Sequence, residues 1–242
     1  MLYVPGRGPV TEEESKRLFM LILEDDTEDA PWMVMSSLQW AATSDFYQSL
    51  HEHFERTAQP WFVAGMMPIL YDWPGVTRKR QLAPDIFVAP GPERPRSSFD
   101  SDAEGFPPFI LEVVSPSSVG RDEGDKLIAY DMLGAREYAL FTPNADDISK
   151  LAGYRRDASG RFEPWPRDEN GRLWSEILGL YLVPRGAALR LETREGQLLP
   201  TFKEAMEARV EAEVEIERLR QENARFKREA GLESDDPAGR SS

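Results

Sequence analysis

The chain has no cysteine and only two histidines among its 242 residues. Without thiols there can be no disulfide and no thiolate zinc site, and the absence fits a reducing compartment. His51 and His53 lie two positions apart in a stretch of helical periodicity, so they point in different directions, which argues against joint ligation of one ion. Long apolar runs are also missing. No stretch approaches the roughly 18 apolar residues that would span a bilayer, and the opening MLYVPGRGPVTEEE has neither the basic segment nor the apolar core of a signal peptide. These absences are expected of a cytoplasmic protein. Positive charge is outnumbered: 29 Lys and Arg stand against 43 Asp and Glu, a formal net charge of −14, which argues against non-specific phosphate binding built on many Lys and Arg contacts. The acid is uneven, however. Residues 1–45 carry −6, whereas residues 46–202 carry only −5 and hold basic clusters at Arg78-Lys79-Arg80, Arg94/Arg96 and Arg155-Arg156. Clusters of that size read first as solvated turns.

The pattern along the chain divides it into an acidic N-terminal helix and loop (1–30), a core domain (31–200), a helical, coiled-coil-like tail (201–230) and a disordered end (231–242). Thr11-Glu12-Glu13-Glu14 has the form of a capping box opening a helix to about Leu23. Asp45 is a candidate cap for a helix in which Phe46, Leu50 and Phe54 form one apolar stripe. From Trp61 the period shortens. Residues Trp61 to Tyr71, Pro84 to Val88, Phe109 to Val114 and Glu137 to Phe141 are apolar runs bounded by Pro and Gly, which predicts buried strands. Gly124 to Leu133 is predicted helical, with Gly134 as its C-terminal cap. Strand, helix and strand in that order predict a crossover unit within a mixed sheet. Ile148–Arg156 and Arg161–Trp165 are expected to form a hairpin about Asp157-Ala158-Ser159-Gly160, and Ala187–Glu192 another strand. After Pro200 the heptad positions fall on Phe202, Ala205, Arg209, Ala212, Ile216, Leu219, Asn223, Phe226 and Ala230, a thin seam that would allow a homodimer.

Two lone carboxylates break otherwise apolar strand-like runs: Asp85 in APDIFV and Glu112 in PFILEVVSP. A carboxylate in such a setting is costly unless a cation meets it. Magnesium takes only one or two protein carboxylates and keeps several waters, so a pair of acids on neighbouring strands plus a main-chain carbonyl is a sufficient metal site. On the helix that follows, Asp122, Lys126 and Tyr130 recur every fourth residue and share one face. If that face turns to the Glu112 strand, Lys126 and Tyr130 stand beside the acids. Ser115 and Pro116 are expected to shape the turn after the strand, since no histidine is placed to activate the serine.

The stretch from about Gln39 to Pro200, and above all APDIFVAPG and PPFILEVVSPSSVGRDEGDKLIAYDMLGAREYALFTP, closely resembles the putative restriction-endonuclease-like family of the PD-(D/E)XK nuclease superfamily. The resemblance implies an α/β (α+β) fold: a mixed β-sheet core of restriction-endonuclease-like type with flanking helices, here with extra hairpins and a long C-terminal helix. It implies a Mg²⁺- or Mn²⁺-dependent endonuclease acting on DNA, with Asp85 and Glu112 as metal ligands and Lys126 and Tyr130 completing the catalytic set. The chain departs from the superfamily pattern at Val114, where a lysine would follow the glutamate by two residues. The resemblance places that lysine on the next helix, as Lys126. Relatives commonly carry a histidine at the start of the first core helix, where this chain has Ser44-Asp45. The alternative is a non-catalytic interaction protein that keeps the nuclease fold and self-associates through its C-terminal helix, because fold alone does not fix function.

Overall fold

A computed structural model describes residues 3–4, 8–9, 11, 13, 35–73, 77–115, 121–145 and 149–229. Two compact units result, one up to Leu199 and one from Pro200 onward. The first unit begins with a two-residue ladder, β1 (Tyr3–Val4) and β2 (Gly8–Pro9), and α1 (Ser37–Arg56). It continues through β3 (Trp61–Gly65), β4 (Ile69–Tyr71), β5 (Arg80–Leu82), β6 (Ile86–Pro90), β7 (Phe99–Asp100), α2 (Ser101–Glu104) and β8 (Phe109–Val113). A π-helical segment (Arg121–Lys126) leads into α3 (Leu127–Leu133). Then come β9 (Glu137–Thr142), β10 (Lys150–Arg156), β11 (Phe162–Pro164), β12 (Leu173–Ser175), β13 (Leu180–Arg185) and β14 (Ala188–Glu192).

The central sheet has six strands in the order β11-β10-β9-β8-β6-β3. It is mixed: β8 runs parallel to β9, and the other neighbours are antiparallel. The parallel step is joined by the π segment and α3, the crossover that strand, helix and strand in sequence predict. Period-2 alternation sorts the side chains into two cores. Val63, Ile86, Val88, Phe109, Leu111 and Val113 face the Ala42, Phe46, Leu50 and Phe54 stripe of α1 and the β12-β13-β14 sheet. Phe62, Ala64, Phe87, Ala89, Ile110, Tyr138 and Leu140 face α3 and the small β5-β4-β7 sheet.

Several boundaries differ from the sequence expectations, for local reasons. The first core helix is capped by Ser36, not Asp45: the Ser36 hydroxyl accepts from Gln39 N and the Gln39 side chain accepts from Ser36 N, which closes a capping box and starts the helix well upstream. Trp61 to Tyr71 is two strands in two sheets, because the chain turns at Met66, whose φ of 50° a strand cannot accommodate. The predicted helix before Gly134 begins as a π segment, and Gly134 does cap it, in the left-handed conformation at φ 104°. The Asp157 turn also forms as expected: its carboxylate accepts from Ser159 N and Arg161 N, and Gly160 takes φ 81°. Arg156 is no solvated turn residue. Its guanidinium donates to the Asp131 and Gly160 carbonyls and pairs with the Asp131 carboxylate. Lys79 likewise pairs with Asp100 and Asp102, and Arg94 and Arg96 both reach Glu104, so these basic clusters are neutralised on the protein itself. The helix expected over Thr11 to Leu23 and the end after residue 230 lie outside the described residues. The second unit holds α4 (Phe202–Glu229), opened by a reciprocal cap in which Thr201 Oγ1 accepts from Glu204 N and the Glu204 carboxylate accepts from Thr201 N.

One buried acid belongs to the architecture. Glu137, 2 % exposed, accepts from the Ser175 hydroxyl and from Glu176 N at 2.8 Å and ties β9 to the β12 corner. Burial pushes its carboxyl above the usual range, against the opposing pull of these hydrogen bonds. A raised folded-state pKa means the folded chain holds the proton more tightly. That contribution is complete below the unfolded carboxylate value of about 4.3 and is lost as pH rises through the folded value. Thermal melts from acid to neutral pH should show that Glu137→Gln, which cannot ionise, lacks this decline and gains stability relative to the parent as pH rises.

Candidate functional site

Strand β8 is buried at every position, and Glu112 is its one charged residue. It shares the face of Ile110, turned towards α3. Its parallel neighbour is Leu140 of β9, and its antiparallel neighbour follows from the β6 ladder. Ile86 pairs with Leu111, so one further step sets Asp85 opposite Glu112. Asp85 itself lies at the bend just before β6. The Asp85 carboxylate meets the β8 main chain directly, accepting from Val113 N at 2.6 Å.

The helix supplies the counter-charge. Lys126 is the last residue of the π segment, and its ammonium lies 2.9 Å from Glu112 Oε1, with only 15 % of the side chain exposed. Tyr130, four residues on and fully buried, donates its hydroxyl to the same Oε1 at 2.7 Å. The wider turn of a π segment shifts the register of the residues that follow, a feature often met at functional sites. Tyr130 is held in turn by the Tyr138 ring, edge-on at 5.0 Å, so the Arg-Glu-Tyr part of the sequence signature acts through packing and through the Glu137 hydrogen bonds. Of the site residues singled out in the sequence, Lys126, Tyr130 and Glu112 are in direct contact, and Asp85 stands across the ladder from Glu112. The Asp122 side chain and Pro116 lie outside the described residues.

Sequence reasoning missed Gln39. While its oxygen closes the helix cap, its Nε2 donates to Val113 O at 2.9 Å, 74 positions away in sequence, and so restrains the carbonyl next to Glu112. The three-residue spacing of Ser36 and Gln39, that of a capping box, could have located the helix start, but not this second bond. His51 and His53 contribute nothing here: His51 stacks on Tyr47 at the far end of α1.

Among the described residues no three His, Asp or Glu side chains converge. Asp85 and Glu112 are nevertheless hard oxygen donors of the type that magnesium takes from protein, one or two carboxylates at a time.

A mixed sheet with a crossover helix packed on it is an architecture shared by many activities, and comparison with protein families narrows them. Residues 32–200 match the Uma2 family, described as putative restriction endonuclease. That span is more than two thirds of the chain, which belongs to this family. Among solved structures, the chain is similar to the crystal structure of a putative nuclease belonging to DUF820 from Anabaena variabilis, with a TM-score of 0.43 and 11 % identity over 60 % of this chain and 75 % of that one. No curated protein matches the sequence. No helix among the described residues is long and apolar enough to cross a membrane.

The Glu112 contacts carry a stability test. Lys126→Met leaves a buried carboxylate without its cation and should cost about 3–5 kcal/mol. Tyr130→Phe removes one donor and should cost about 1–3 kcal/mol. Urea unfolding should rank the two in that order, and adding Glu112→Gln to Lys126→Met should recover part of the loss.

Proposed function

We propose that the protein is a Mg²⁺-dependent endonuclease that hydrolyses phosphodiester bonds of DNA, with Asp85, Glu112, Lys126 and Tyr130 as its catalytic set. The observation that carries this reading is the meeting of Lys126 Nζ and Tyr130 Oη on one oxygen of Glu112, with Asp85 across the ladder.

A divalent ion, Mg²⁺ or Mn²⁺, held by Asp85 and Glu112 would neutralise charge on the scissile phosphate and lower the pKa of a bound water. The remaining work falls to the chain. Tyr130 fixes the Glu112 carboxylate from the helix side, and the Val113 amide fixes Asp85 from the strand side. Lys126 keeps a compact positive charge on a flexible stem, which can leave Glu112 for a phosphate oxygen or hold the attacking water. Gln39 steadies the Val113 carbonyl. The low exposure of Glu112 and Lys126 keeps these interactions stronger than they would be in water.

Single-turnover cleavage of plasmid DNA with Mg²⁺ or Mn²⁺ tests the reading. Glu112→Gln should lower the rate by about 10²–10³-fold or more, and calorimetric titration of Mn²⁺ should lose its heat in the same variant. Cleavage that persists in Glu112→Gln would reject this site. Absence of any metal heat in parent and variant alike would leave the non-catalytic scaffold as the better reading.

A homodimer through α4 has its own observation. Phe202, Val210, Val214, Ile216, Leu219 and Phe226 are all about half exposed or more. Arg209, at a seam position, pairs with Glu213 on its own helix, as befits a surface residue. Phe202, Ile216, Leu219 and Phe226 lie in the heptad seam and would form the contact, whereas Val210 and Val214 lie outside it. Light scattering should give two chains per particle for the parent and one for Leu219→Glu; one chain for both removes the dimer.

A further inference from the structure

The proposed hydrolysis makes no use of a cleft of about 440 Å³ beside the edge strand β3. Trp40, Thr43 and Tyr47 of α1 form one wall, Phe62 and Met66 another, and Arg96 closes the end. Its size suits a small planar ligand.

Three observations bear on what enters it. First, Trp40 is 54 % exposed and Met66 48 % exposed, although both border a cavity able to cover them. Second, polar atoms without partners gather around this cleft. Five buried side-chain atoms lack a hydrogen bond among the described residues, and three of them, Thr43 Oγ1, Gln48 Oε1 and Arg96 Nε, belong to its lining. Thr43 is only 3 % exposed. Buried polar groups are nearly always satisfied, and three exceptions fall on residues that line one cavity. Third, both walls run directly into the acid pair. Trp40 follows Gln39, which holds the Val113 carbonyl, and Met66 N donates to Asp85 O at 3.0 Å.

We propose that this cleft takes an unpaired nucleobase of the substrate strand, stacked on the Trp40 indole with its polar edge towards Thr43 and Gln48. This rests on the nuclease reading above and narrows its substrate to single-stranded or locally unpaired nucleic acid, since a base within a duplex has no free face and no free pairing edge. A phosphate fits the cleft less well. Arg94 and Arg96 are engaged by Glu104, the Arg96 guanidinium lies 4.0 Å over the Phe62 ring, and Glu93 adds an anion to the wall. Flat apolar faces with a hydrogen-bonding rim are the chemistry that aromatic platforms and buried hydroxyls select.

The test uses the full chain, short fluorescein-labelled oligothymidylate and oligouridylate, and EDTA to hold off hydrolysis. Anisotropy should show both oligonucleotides binding, with about tenfold weaker affinity in Trp40→Ala and most of the affinity kept in Trp40→Phe. Quenching of tryptophan fluorescence on binding should disappear in Trp40→Phe. Thr43→Val, which keeps the side-chain shape and removes the unsatisfied hydroxyl, should weaken binding without lowering the thermal melt. In a parallel cleavage assay with Mg²⁺, single strands should be cut in preference to duplex. Equal binding by parent, Trp40→Ala and Thr43→Val overturns the cleft assignment, and if Glu112-dependent cleavage persists the nuclease reading stands without it. Trp40-dependent binding with no cleavage under any condition supports the cleft and removes the nuclease reading instead. Absence of binding to either oligonucleotide overturns the assignment.

Discussion

The buried carboxylate of Glu112 is the constraint around which the site is arranged. It lies in the middle of the sheet, on a strand with no exposed residue, where an unpaired charge would cost several kcal/mol. Lys126 and Tyr130 remove that cost by placing an ammonium and a hydroxyl on one oxygen. To reach it, the chain has to leave β8, form a π segment and present two residues of one helix face back to the strand it has just left. The crossover therefore joins parallel strands and sets the electrostatics of the site in one element.

The surroundings divide the work between main chain and side chain. Asp85 is anchored by the Val113 amide and Gln39 by the Val113 carbonyl, so both sides of one residue's main chain beside Glu112 are held from other parts of the fold. Neither main-chain anchor carries net charge. They restrain geometry without competing for the Lys126 charge, in contrast with Glu137, whose hydrogen bonds serve the packing of β9 against the β12 corner. Several basic residues elsewhere on the first unit are tied to its own acids, as at Lys79, Arg94 and Arg156. A strongly acidic chain arranged in this way offers little broad phosphate affinity. Recognition of a nucleic acid would have to come from a few placed groups, and the Trp40 cleft is one such place.

Much of this was legible in the residues themselves. Strand runs, the helix before Gly134 and the Asp157 turn follow from apolar periodicity and from glycine and aspartate at turn positions, which are local signals. The four-residue spacing of Lys126 and Tyr130 put them on one face without reference to the rest of the fold. Less was legible where local signals were equivocal. Asp45 looked like a helix cap, but the Ser36–Gln39 box lies upstream and takes that role. The short strands β5, β7 and β12 carry too few residues for a pattern, and they exist because neighbours give them ladders.

The amino-acid sequence by itself determined which side chains could share a face, because helical and strand periods are properties of the backbone and need no partner. It also determined that two acids had to be compensated, since the cost of burying a carboxylate depends on its apolar neighbours along the chain. Tertiary structure alone decided who compensates whom. That Asp85 stands across from Glu112, that Gln39 reaches Val113 over 74 positions, and that Trp40 and Met66 border one cleft all depend on strand order and register. Those are set by the packing of distant segments, whose energies no local pattern records.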